Sequence, residues 1–139
     1  MPAFEMDYGN DEALKRFHAL DSFTQGYIMA AFFTCTGTGD DEDLEDATFA
    51  DLHPDSLAAA ISDCKEFQEQ QAEWLEMACH FDGYDDECAG RDFWYTRNHH
   101  GTGFWDRDIG NYSRILTDAA HCWGERGMYR GDNGLIHIN

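Results

Sequence analysis

The chain has 139 residues and a formal charge of −19, with 28 acidic against nine basic side chains, 42% hydrophobic and 14% aromatic content. That length supports one core without disulfide or metal staples, and a composition so apolar excludes a disordered chain. So negative a field disfavours direct contact with nucleic acid or a membrane surface and favours basic protein partners.

The charge is uneven. Residues 1–90 carry 22 acids and three bases, a balance of −19, whereas residues 91–139 carry six of each. One domain spanning 1–139 is expected, with an acidic helical part over about 11–90 and a neutral part over about 91–139. No stretch is apolar enough for a membrane span, and Met1 to Asp11 has neither the basic nor the apolar segment of a signal peptide. Cys35, Cys64, Cys79, Cys88 and Cys122 show no CxxC spacing, which reads as reduced, intracellular thiols.

In chain order, Asp11 to Leu20 predicts a short helix capped by Asn10 or Asp11, with Leu14, Phe17 and His18 inward. Ser22 and Gln25 have capping-box spacing, and Phe23 to Cys35 follows as a core helix apolar on most of its circumference. Asp40, Asp41, Glu42, Asp43, Glu45 and Asp46 crowd one exposed acidic loop. Ala47 to Leu52 predicts a helical turn, and Pro54 opens a long amphipathic helix to about His80. Its apolar stripe is Leu57, Ala60, Ile61, Cys64, Phe67, Trp74, Leu75, Ala78 and Cys79, and its outer face holds Asp63, Glu66, Glu69, Glu73 and Glu76. Asp82 to Ala89 predicts a further short helix stopped by Gly90.

The stretch Asp92-Phe-Trp-Tyr-Thr-Arg-Asn-His-His-Gly-Thr-Gly-Phe-Trp-Asp-Arg-Asp108 repeats a Phe-Trp pair about a His/Gly turn, which predicts a β-hairpin. Ile109 to Trp123 then predicts a helix, and Met128 to Ile138 a second hairpin about Asp132-Asn133-Gly134. The expected fold class is α+β, three to four helices on a small antiparallel sheet made of these hairpins.

Candidate chemistry is sparse. Arg97, His99, His100 and Asp106 at the aromatic hairpin could form an acid/base or metal site, but adjacent histidines point apart and no HExxH or Cys/His set accompanies them. Gly37-Thr-Gly39 and Gly101-Thr-Gly103 lack a phosphate-binding continuation, and Ser56 and Ser113 lack a nucleophile-elbow setting. Trp94, Trp105, Arg97 and Arg107 could stack on single-stranded nucleic acid, a use the net charge opposes. No catalytic residue, cofactor or metal is assigned. The carboxylates of 40–46 and of the long helix could instead imitate a phosphate backbone, which carries one charge per ~1.7 Å of duplex axis.

Asp92 to Arg107, with Ala89-Gly90 before it and Phe23-Thr-Gln-Gly-Tyr-Ile28 upstream, resembles a family of small acidic proteins of tailed phages and prophages, over about Asp21 to Tyr129. This chain departs from that pattern at His99, where glycine is usual. The resemblance marks no chemistry, so it transfers no catalytic residue. It implies a phage-type accessory protein of the bacterial cytosol, and small acidic phage proteins often occupy host restriction or CRISPR components. The leading expectation is therefore an inhibitor of a host nucleic-acid-binding protein through its basic surface. A small enzyme or metal protein using the aromatic hairpin, and a homo-oligomeric assembly protein, are the alternatives, and the sequence leaves a homodimer open.

Overall fold

The computed structural model describes residues 7–36, 47–131 and 134–138; the 40–46 acidic loop and most of the 132–134 turn lie outside them. Among the described residues there are six α-helices and two short strands: α1 Asp11–His18, α2 Ser22–Thr36, α3 Pro54–Gln70, α4 Ala72–Ala78, α5 Asp86–Arg97, α6 Tyr112–His121, β1 Met128–Arg130 and β2 Ile136–Ile138. Single 3₁₀ turns stand at Phe49–Asp51 and Phe104–Asp106. The expected fold class is thus corrected. The molecule is mostly helical, with more helices than expected and a lone two-stranded ribbon in place of a helix-covered sheet.

The largest error lies at the aromatic stretch, which is not a hairpin. Asp85 caps α5, its carboxylate accepting the Cys88 N–H at 2.8 Å, and the helix runs through Gly90 to Arg97. Gly90, Phe93, Trp94 and Arg97 recur at helical spacing on one buried face. The second Phe-Trp pair forms only the 3₁₀ turn, with Phe104 buried and Trp105 half exposed. Aromatic β-propensity is a weak preference for half-buried packing, and here burial against α2 overrides it.

α2 is the central element. Phe23, Tyr27, Ile28, Ala30, Ala31 and Phe32 are all buried, as expected for a helix apolar on most of its surface. Asp21 caps it rather than the Ser22–Gln25 box, its carboxylate accepting the Thr24 N–H at 2.7 Å. α5 crosses α2 where Gly26 meets Gly90: a Cβ on Gly90 would sit 1.8 Å from the Phe23 carbonyl oxygen, and one on Gly26 2.1 Å from that of Glu87. The helices touch backbone to backbone, so neither glycine is a helix stop. Around the crossing Phe67 stacks on Phe93 at 4.1 Å, and each fully buried ring contributes roughly 2 kcal/mol from area alone.

The predicted long helix is two. Pro54 occupies the first turn of α3 as expected, with the His53 imidazole accepting the Asp55 N–H. At Gln71 the backbone turns to φ −111°, ψ 20° without proline or glycine, and α4 resumes with Leu75 and Ala78 buried. α1 matches its prediction, capped by Asn10, except that His18 is exposed. α6 starts at Tyr112, later than expected, and buries Leu116 and Ala120. The C-terminal hairpin is present, Met128 opposite Ile138, but its outer neighbour is Leu52, by one parallel bridge to Ile136, and not a second hairpin.

The Asp85 cap should be measurable. The Cys88 backbone N–H first and its side chain second hold this carboxyl below the usual range, so its stabilisation is complete above the unfolded-state pKa and is lost as pH falls through the lower folded-state value. Asp85→Ala should cost about 1 kcal/mol in urea unfolding at pH 7, and that cost should shrink steadily as the pH is lowered through the carboxyl's folded-state titration. Asp85→Asn should keep most of the cap and lose that pH dependence.

Candidate protein-binding face

The residues expected at the aromatic hairpin do not converge. Arg97 is fully buried: Nε donates to the Gly124 carbonyl at 2.8 Å, Nη2 to Trp123 at 3.0 Å, and Nη1 to the Tyr27 hydroxyl at 3.1 Å and Asp63 Oδ2 at 3.0 Å. Its guanidinium also lies over the Phe93 and Trp123 rings at 5.3 and 5.7 Å. Each of its three nitrogens is bonded to protein, so the fully buried Arg97 joins α5 to α2, α3 and the segment after α6 and is closed to a ligand. Burial, the largest cause, pushes the Tyr27 phenol far up, so it stays protonated beside Arg97.

His99 and His100 follow the end of α5. His99 takes a left-handed conformation, φ 55°, a state glycine adopts at less cost, and its ring stacks on His121 at 4.6 Å. His100 turns the other way, edge-on to Tyr95 at 6.1 Å, and partial burial lowers its pKa. Asp106 accepts a hydrogen bond from the Thr102 hydroxyl at 3.3 Å. The four residues proposed as a hairpin site thus have separate partners. No group of three His, Cys, Asp or Glu among the described residues is placed to hold a metal ion.

A polar cluster that the sequence disguised lies next to them. Asp92, fully buried, accepts the Tyr84 hydroxyl at 2.7 Å and a forked pair from Arg107, Nε at 3.0 Å and Nη2 at 2.8 Å. Arg107 thus pairs within the aromatic stretch, with Asp92, whereas Arg97 pairs outside it, with Asp63. Burial first and the Asp92 carboxylate second push the Tyr84 phenol well up, and the Asp92 bonds raise Arg107. The cluster pins the 3₁₀ turn to α5; its carboxylate is sealed from solvent and cannot serve a substrate.

Two open clefts lie among the described residues. One of about 500 Å³ lies among Thr34, Trp94, Asn98, His100, Glu125, Arg126 and Gly127. Its Asn98 is spent on the Arg126 N–H and the Trp94 carbonyl, and the Trp94 indole on Thr34. The other, about 400 Å³, has Cys79 and Asp86 on its wall, where burial and then Asp86 push the thiol to about 11, away from nucleophilic use.

What the described surface does offer is carboxylate. Glu66, Glu69, Glu73 and Glu76 are all exposed, the first two three residues apart on α3 and the last two three residues apart on α4, so each pair shares a helix face. Among the described residues none of the four has an ion-pair partner; Glu66 accepts only a long bond from Gln70. Asp63 was expected among these exposed acids and is not one of them, because it is the anion of buried Arg97. Arg91 and Arg107 likewise pair with Glu87 and Asp92, so three of the nine basic side chains are committed internally. No helix among the described residues is long and apolar enough to cross a membrane. Comparison with protein-family models, with curated proteins and with solved structures finds no match to this chain.

Proposed function

We propose that the chain is a phage-type acidic accessory protein that binds and inhibits a host nucleic-acid-binding protein, of the anti-restriction or anti-CRISPR kind, by offering carboxylates where that protein expects phosphates. The observation that carries this is the set Glu66, Glu69, Glu73 and Glu76, exposed and without cationic partners among the described residues. Within each helix the paired glutamates are separated by a rise of about 4.5 Å, against about 3.4 Å between charges along one DNA strand. That spacing approaches one strand rather than a duplex, and the six acids of 40–46 add to the total negative charge. The resemblance of residues 21–129 to phage proteins supports the cytosolic setting.

The test is capture of partners from bacterial lysate on the tagged protein at low and high salt, followed by affinity measurement on what is retained. A nucleic-acid-binding protein held at low salt and released at high salt is expected. Replacing Glu66, Glu69, Glu73 and Glu76 by Gln should weaken that complex about tenfold or more with unchanged thermal stability. Neutralising Asp40, Asp41, Glu42, Asp43, Glu45 and Asp46 should abolish it. Affinity indifferent to salt and to both sets of substitutions would eliminate the electrostatic mechanism.

A further inference from the structure

Beside the exposed glutamates lies an aromatic face. Trp74, Met77 and Phe81 recur at i, i+3 and i+7 along one side of α4 and the turn after it. Tyr112, at the start of α6, meets them, its ring 6.1 Å from Trp74 and 6.3 Å from Phe81. Met77 and Phe81 keep 38% and 37% of their surface exposed, and Trp74 and Tyr112 are half-buried against the core. Glu73 stands one helical turn from Met77 and one residue from Trp74, and Glu76 is adjacent to Met77; both are exposed. Exposed apolar side chains rimmed by charge are a usual mark of a binding patch.

Building on the protein-binding role proposed above, we infer that this face, Trp74, Met77, Phe81 and Tyr112 bordered by Glu73 and Glu76, is the anchor point for arginine side chains of the basic partner. Flat rings and carboxylates side by side match a guanidinium on both counts. Its planar face stacks on an aromatic ring while its edge donates in a fork to a carboxylate. A lysine ammonium, compact and strongly hydrated, satisfies only the second. Charge complementarity also selects the occupant: a second copy carries the same −19, and an anionic lipid surface is repelled as strongly. The exposed carboxylates attract the partner from a distance, and the aromatic face holds it.

The test titrates deca-arginine and deca-lysine peptides into the full chain at low salt by calorimetry. The native chain should hold the arginine peptide about fivefold more tightly, a preference that Tyr112→Leu and Trp74→Leu cut to within about twofold while lysine-peptide affinity stays put. Because Trp74 and Tyr112 also pack on the core, Met77→Ser, on an exposed side chain, is the companion variant and should lower arginine-peptide affinity with the melting temperature unchanged. Glu73→Gln with Glu76→Gln should weaken both peptides alike. Equal binding of the two peptides by the native chain, or a preference that survives all three aromatic-face variants, overturns the anchor while leaving the charge-driven function standing. Binding of neither peptide overturns both.

Discussion

Gly90→Ala is expected to destabilise the fold by more than about 4 kcal/mol, and urea unfolding of the variant should show a midpoint near zero or no transition at all. Helix propensity alone forecasts the opposite sign, since alanine is favoured over glycine by about 1 kcal/mol in a helix interior. The crossing decides. The new methyl would sit 1.8 Å from the Phe23 carbonyl oxygen and 3.0 Å from the Tyr27 amide nitrogen, both backbone atoms of a helix with no slack. Relief requires α2 and α5 to move apart by more than an ångström, which loosens the Tyr27, Phe93 and Trp94 contacts together. Gly26→Ala should behave similarly, its methyl 2.1 Å from the Glu87 carbonyl. The double variant should cost clearly less than the sum, because one separation of the helices accommodates both methyls. A neutral or stabilising Gly90→Ala would refute the close crossing.

Arg97→Met should cost about 3–5 kcal/mol. The substitution keeps much of the stem packing and removes four hydrogen bonds, leaving the buried Tyr27 hydroxyl without its cationic partner and the Trp123 and Gly124 carbonyls untied from α5. Arg97→Lys should recover less than half of this, since one ammonium cannot reach carbonyls, phenol and carboxylate from a single position. Asp63→Asn should cost less than Arg97→Met, because Asp63 keeps 24% of its side chain exposed and water can replace part of what is lost. Equilibrium unfolding of the two single variants and the double gives the coupling directly. A loss below about 1 kcal/mol for Arg97→Met would mean that the network is incidental.

Arg97 also explains why the fold was only partly legible. The apolar periods of α1 and α2 and the Pro54 start of α3 are local signals, and they placed α1, α2 and the beginning of α3 within a few residues, whereas the break at Gln71 carries no such signal. In α5 the buried face reads Gly90, Phe93, Trp94, Arg97: one member has no side chain and another carries a charge, so the 3.6-residue period is hidden and the aromatic repeat dominates. What makes Gly90 a helix interior and Arg97 a core residue is α2, α3 and the Trp123–Gly124 carbonyls, far away in sequence and outside any local window. The same rule holds for the carboxylates. The exposure of Glu66, Glu69, Glu73 and Glu76 was readable from spacing, whereas Asp63 was expected beside them and differs by the cation it meets across the fold. The exposed aromatic face escaped because helical periodicity assigns Trp74 and Tyr112 to the interior and is silent on how much of each ring the neighbouring helix leaves open.

The ties that close this molecule are long in sequence: Thr34 to Trp94, Tyr27 to Arg97, and Ser56 to the Ile138 amide span 60, 70 and 82 residues. A helical protein ordinarily assembles from neighbours, quickly, but here loop closure must precede the contacts that repay it. Folding should accordingly be slower than helix content suggests. During synthesis α2 emerges with Phe23, Tyr27 and Ile28 uncovered and waits for α5 to be made, an interval of several seconds at ordinary elongation rates. For that interval the dense charge of the first ninety residues acts before any partner exists, keeping half-made chains apart while their central helix is still bare.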